Sequence, residues 1–118
     1  VLIVEDDPDV RETLQLIVED EGVRAVGVAN GREAVDYLLS DRDRPDLILL
    51  DLMMPVMSGV EFLSWRRGQA APIADVPVVV VSASNARNAA RTVEEFALRG
   101  YLQKPLTLEA LTSTLSGL

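Results

Sequence analysis

Cysteine and histidine are both absent from the 118 residues, and lysine occurs once against ten arginines. Without cysteine there is neither a disulfide framework nor a thiolate metal site, a pattern that fits a cytoplasmic protein. Without histidine, imidazole acid–base work, Ser-His triads and the usual zinc sites are removed. Chemistry must therefore run on carboxylates, hydroxyls, one ammonium and backbone groups. No apolar run approaches the length needed to span a bilayer, and no signal-peptide pattern is present, so no membrane association is expected. A net charge of −8 and a pI near 4.4 argue against nucleic acid as a partner. What remains is an ordinary globular mixture, 48% hydrophobic and 25% charged. Its length suits one domain over residues 1–118.

Short apolar runs alternate with helical patterns along the whole chain. Val1-Leu2-Ile3-Val4 reads as a first strand, and Asp7-Pro8 as an N-cap with proline at the first helical position. Val10, Leu14, Ile17 and Val18 share one face of that helix, which ends at Glu21-Gly22. Val23 to Val28 is a less apolar strand, expected near a sheet edge. Asn30-Gly31-Arg32-Glu33 starts a second helix in capping-box fashion, with Ala34, Val35, Leu38 and Leu39 expected inside. Asp46 to Asp51 is the third strand, and Ser58-Gly59-Val60-Glu61 repeats the capping logic for a third helix through Trp65.

After a connection over Gly68 to Pro77, Val78-Val79-Val80-Val81 is the most β-like stretch. A fourth helix, about Asn85 to Arg99, carries Ala86, Ala89, Ala90, Val93, Phe96 and Ala97 on its apolar face; so much alanine predicts thin burial. Gly100 to Gln103 is a short fifth strand, and Thr107 caps a last helix bearing Leu108, Leu111 and Leu115. The pattern is (βα)5, and near-continuous apolar strands favour a doubly wound parallel sheet with helices on both faces.

In such sheets, sites form outside the carboxyl ends of the strands. Asp6 and Asp7 follow strand one, Asp51 ends strand three, Ser82 ends strand four and Lys104 follows strand five. Taken singly, each has a plain explanation: Asp7 as a helix cap, Asp6 as a loop acid, Ser82 as a cap, Lys104 as a solvated lysine. Asp51 fits such an explanation poorly, because Leu52-Met53-Met54-Pro55 delays the next helix start until Ser58. A carboxylate at the tip of a buried strand costs several kcal/mol unless a cation or donors answer it. Three carboxylates on one rim call for a proton or a divalent cation between them, and oxygen-only ligands favour Mg²⁺ or Mn²⁺. With a phosphoryl group added, Asp51 is a nucleophile and the metal, Lys104 and Ser82 each take one phosphoryl oxygen.

The chain resembles a response-regulator receiver domain of two-component signalling, chemotaxis-receiver-like, over essentially its whole length. The matching segments are Val4-Glu5-Asp6-Asp7, Asp51-Leu52-Met53-Met54-Pro55-Val56-Met57-Ser58-Gly59, Val81-Ser82-Ala83 and Tyr101-Leu102-Gln103-Lys104-Pro105. The resemblance implies a flavodoxin-like fold with strand order 2-1-3-4-5. It implies that Asp51 accepts a phosphoryl group from a sensor histidine kinase or a histidine phosphotransfer protein. It further implies direct Mg²⁺ ligation by Asp7, Asp51 and the Met53 carbonyl, with Asp6 acting largely through water. A cis Lys104-Pro105 bond and a switch formed by Ser82 and Tyr101 are implied as well. Met53 and Ser84 stand where this family tunes water access to the phosphoryl group.

The expected protein is thus a switch that catalyses only its own aspartyl phosphorylation and dephosphorylation, not an enzyme on other substrates. Its output face would be helix four, strand five and helix five, open to a homodimer partner or an output domain. Two rivals share the architecture and part of the site. A phosphorylation-independent interaction module would have lost the acceptor chemistry, although every required side chain is present. An aspartyl-nucleophile phosphatase needs an acid two residues after the nucleophile, where this chain has Met53.

Overall fold

The structure is a computed structural model and describes residues 1–40, 44–83 and 85–117. Five strands, β1 (Leu2–Val4), β2 (Val26–Val28), β3 (Ile48–Asp51), β4 (Val78–Ser82) and β5 (Gly100–Gln103), form one sheet in the order β2-β1-β3-β4-β5. Every neighbouring pair is parallel. The helices α1 (Pro8–Asp20), α2 (Gly31–Leu39), α3 (Gly59–Arg67), α4 (Ala86–Glu95) and α5 (Leu108–Leu115) supply the crossovers, with a short 3-10 turn at Ile73–Asp75. This is the doubly wound (βα)5 arrangement, and β2 is an edge strand of half-buried residues.

Side-chain alternation along the strands splits the core into two layers. Leu2, Val4, Ile48, Leu50, Val78 and Val80 face one side, covered by α2, α3 and Phe96 at the end of α4. Ile3, Leu49, Val79 and Val81 face the other, against Leu14 and Val18 of α1 and Leu111 and Leu115 of α5. Strands buried on both faces must be apolar throughout, and β3 and β4 are.

Helix starts follow the expected cap chemistry. Asp7 accepts from the N–H groups of Asp9 and Val10 with Pro8 at the first position. Asn30 accepts from Glu33, and Ser58 with Glu61 forms a complete capping box. In α2 the Glu33 carboxylate reaches the Ala29 N–H at 2.9 Å.

Several expectations need correction. Leu39 is 60% exposed because it lies past the edge of the Ala34-Val35-Leu38 stripe in the last turn, and Leu108 is 62% exposed at the start of α5. Helix α4 stops at Glu95, short of Arg99, and buries only Ala89; Ala86, Ala90 and Ala97 are exposed. It ends in a Schellman motif: Ala97 N–H donates to the Glu94 carbonyl, Leu98 N–H to the Val93 carbonyl, and Ala97 takes φ +53°. Among the described residues, no helix is long and apolar enough to cross a membrane.

Candidate functional site

Strand β3 places Asp51 at its last position, in register with Val81 of β4. Asp51 is 5% exposed. Its Oδ1 accepts from the Met53 N–H at 3.1 Å, and its Oδ2 lies 3.6 Å from Lys104 Nζ. The loop beyond is held close: Gly59 N–H donates to the Leu52 carbonyl at 3.1 Å, and a Cβ on Gly59 would come within 2.5 Å of the Asp51 carbonyl oxygen. Glycine is required there so that the start of α3 can rest against the backbone of Asp51.

Lys104 follows β5, and its backbone N–H donates to the Ser82 carbonyl at 2.9 Å, which brings the lysine alongside the end of β4. The Lys104–Pro105 peptide is cis, as is Ala71–Pro72. The lysine ammonium forms an ion pair with Glu5 as well as with Asp51.

Glu5 is the residue that sequence reasoning missed. Its backbone N–H donates to the Val28 carbonyl at 3.1 Å, so it extends β1 by one ladder bond. It is 1% exposed. The carboxylates that converge are those of Glu5, Asp6 and Asp51, with ligand atoms all within 4.8 Å of one another. Asp7 stands outside this group. It is exposed, and its Oδ1 is taken up by the N–H groups of Asp9 at 2.9 Å and Val10 at 3.4 Å. The acidic pair at the end of β1 is therefore Glu5-Asp6, one residue earlier than the Asp6-Asp7 pair expected. A signal for this was present in Pro8, which commits the residue before it to capping and leaves the two preceding acids for the rim.

The electrostatics follow from counting charges. One ammonium faces two buried carboxylates, so one negative charge is in excess. Burial first, then the neighbouring Asp51, pushes Glu5 from its ordinary 4.5 to about 7, against the downward pull of Lys104. Burial lowers Lys104, but the bond to Glu5 and the charge of Asp51 outweigh it, and the ammonium is held more tightly than usual. Oxygen-only donors with excess negative charge, two buried and one (Asp6) exposed, suit a hard divalent cation that keeps part of its water shell. Glu5, Asp6 and Asp51 are the residues that would hold it.

Ser82, at the end of β4, is 1% exposed and in register with Gln103; Tyr101 on β5 is 38% exposed and in register with Val80. Met53 is 70% exposed, two residues after Asp51. Ser84 lies outside the described residues. Next to the rim, a cleft of about 590 Å³ lies between Val10, Leu14 and Ile17 of α1 and Lys104, Pro105 and Leu106.

A five-stranded parallel sheet of this order, with buried Asp51, acidic residues after β1 and a lysine after β5, is a doubly wound receiver-type architecture, and comparison with known proteins agrees. The response regulator receiver domain family matches residues 1–116, and the chain belongs to that family. It is 37% identical, over 98% of its length and 49% of the relative's, to the probable C4-dicarboxylate response regulator DctR of Halalkalibacterium halodurans. It spans about half the length of several such curated relatives. Among solved structures, a response regulator receiver protein from Pseudomonas putida superposes with a TM-score of 0.88 at 29% identity, covering 99% of this chain and 94% of that one. The receiver domain of a signal transduction histidine kinase from Syntrophus aciditrophicus gives 0.83 at 35% identity, covering 98% and 86%.

Proposed function

We propose that the chain is a phosphorylation-operated switch in which Asp51 accepts a phosphoryl group from a phosphohistidine of a sensor kinase or phosphotransfer protein. The observation that carries this reading is a buried Asp51 carboxylate at the end of β3, 3.6 Å from the lysine ammonium and beside the Glu5 and Asp6 carboxylates. A carboxylate oxygen of Asp51 bonds to phosphorus while the P–N bond of the donor breaks; its electron pair stays on the imidazole, which is then protonated from solvent. Phosphoryl transfer asks of a protein mainly positioning and charge neutralisation. Lys104 supplies a point charge to a phosphoryl oxygen, and the Ser82 hydroxyl donates to another. Mg²⁺, when held by the Glu5, Asp6 and Asp51 carboxylates, neutralises the charge brought by the phosphoryl group.

In this reading Ser82 shifts toward the new phosphoryl group and Tyr101 rotates inward from the surface. The population of α4, β5 and α5 then changes, and that face engages a second copy or an output domain. The apolar cleft beside Lys104 receives the helix that carries the donor histidine. The test is incubation with Mg²⁺ and acetyl phosphate, followed by intact mass. A gain of one phosphoryl group, lost in Asp51→Asn and on adding EDTA, is expected. A wild-type chain that gains nothing under these conditions would instead act as an interaction module without acceptor chemistry.

A further inference from the structure

Helix α1 reaches back to the acidic rim through one side chain that has no part in the site so far. Arg11, half-buried in the first turn of α1, donates from Nη1 to the backbone carbonyl of Glu5 at 2.9 Å. Its own N–H is bonded to the Asp7 carbonyl at 2.9 Å, so the side chain ties the start of α1 onto the end of β1. Glu5 is 1% exposed, and a buried carbonyl needs a donor. The sheet satisfies the Glu5 N–H through the Val28 carbonyl, but β2 ends at Val28. Among the described residues no backbone N–H answers the Glu5 carbonyl, and Arg11 takes that place. Arg11 enters no ion pair among the described residues.

Gly27 is what permits the reach. It is in register with Ile3, whose side chain faces α1, so a side chain at position 27 would point toward α1 as well. A Cβ there would lie 2.9 Å from Arg11 Cγ, 3.1 Å from Arg11 Cδ and 2.8 Å from Gln15 Oε1. The arginine stem thus crosses a position that only glycine leaves open.

The carbonyl that Arg11 holds belongs to the peptide joining Glu5 to Asp6. Its bond therefore fixes the backbone from which two of the three converging carboxylates project. Charge and bond act in opposite directions here. A guanidinium near the rim repels a divalent cation, so its charge alone weakens metal binding. A group that holds ligands in place strengthens it, and such outer partners usually matter 10- to 100-fold, roughly, to metal affinity.

We propose that Arg11 is a positioning residue for the divalent cation, holding the Glu5–Asp6 peptide so that both carboxylates meet the ion together with Asp51. The inference rests on the reading that these three carboxylates bind the metal. The test is calorimetric titration of the unphosphorylated chain with Mg²⁺, paired with urea unfolding of the metal-free chain. Arg11→Ala should weaken Mg²⁺ binding about tenfold or more. Arg11→Lys, whose ammonium can also donate to a carbonyl, should lose less. Gly27→Ala should weaken Mg²⁺ binding while Arg11 is present and change nothing further in Arg11→Ala, where the stem it would meet is gone. Tighter Mg²⁺ binding in Arg11→Ala would mean that only the charge acts. Unchanged binding with a lower unfolding midpoint would mean that the bond is merely structural, and additive effects of the two substitutions would separate Gly27 from Arg11; each of these overturns the proposal. Asp6→Asn tells the two readings apart. Weakened Mg²⁺ binding there with none in Arg11→Ala sinks this inference alone, whereas no loss in either variant sinks the ligand set with it.

Discussion

Strands β3 and β5 flank the same site yet follow opposite patterns. All four residues of β3 are buried, whereas β5 alternates half-buried and exposed residues. The helices repeat the contrast. Helix α3 buries Phe62 and Leu63 with Gly59 and Arg66, while α4 buries Ala89 alone. A buried Phe or Leu contributes roughly 1.5–3 kcal/mol and a methyl about 0.8 kcal/mol. The half that holds Asp51 is therefore anchored, and the half that carries Tyr101 is attached by strand pairing, Ala89, Phe96 and the partly buried Leu98 and Leu102. The proposed switch needs that asymmetry: a fixed Asp51 and an element that can be displaced at low cost.

The comparison can be broken most directly by cutting each half. Phe62→Ala should lower the stability of the chain by about 3–5 kcal/mol, the usual range for a fully buried Phe. Ala89→Gly should cost only about 1–2 kcal/mol, from helix propensity and one lost methyl. Urea unfolding midpoints of the two variants measure the difference. Equal losses would mean that α4 is anchored as firmly as α3.

A second test concerns the anchored half alone. A carboxyl that titrates at about 7 when folded and near 4.5 when unfolded binds more protons in the folded state between those values. Its contribution to stability is full below about 4.5 and is lost as pH rises through about 7. The stability of the metal-free chain relative to Glu5→Gln should thus fall across that interval and level off above it. With Glu5 as a ligand, as proposed, Mg²⁺ would compete with its proton and should raise the unfolding temperature more at pH 8 than at pH 6. A metal effect independent of pH would remove Glu5 from the ligand set.

What the sequence disclosed follows the same division. Continuous apolar runs made β3 and β4 plain, and side-chain caps at Asp7, Asn30, Ser58 and Thr107 announced four of the helix starts. Asp51 and Lys104 were legible because a charge at the end of an apolar strand demands an explanation. Glu5 was hidden in a run of three acids, where only proline capping tells one carboxylate from the next. The end of α4 was hidden because alanine, not glycine, takes the left-handed position that stops it. Arg66 gave no sign at all, since an arginine in the last turn of a helix is ordinarily a solvated cation near the negative end of the dipole.

Hydrogen exchange reads the contrast more finely. Amides of α4 should exchange roughly ten- to a hundredfold faster than those of α3, reflecting sub-global opening of the weakly packed element. Phosphorylation of Asp51 should change protection in α4 and β5 while leaving α3 within error. Uniform protection across both helices, or no change in α4 on phosphorylation, would remove the displaceable half from the mechanism.

The smallest effects come from two residues with positive φ. Helices α1 and α4 end in the same motif, but α1 uses Gly22 at φ +81° and α4 uses Ala97 at φ +53°. The second such residue is Val56, at φ +68° and 80% exposed in the loop after Asp51. A left-handed conformation costs an L-residue about 1–2 kcal/mol, with β-branched side chains the worst placed. Glycine removes that cost but widens the unfolded ensemble, which returns roughly half of it. Ala97→Gly should therefore stabilise by no more than about 0.5 kcal/mol, and Val56→Gly by about 1 kcal/mol. The two differ in what else they change. Val56 sits in the anchored half, so its relief should raise global stability with the exchange of α4 unaltered. Ala97 closes the weak helix, so its relief should slow exchange in α4 by more than the global gain explains. If Ala97→Gly slows exchange equally everywhere, α4 opens only with the whole chain, and the contrast between the two flanks of Asp51 is one of composition without a difference in mobility.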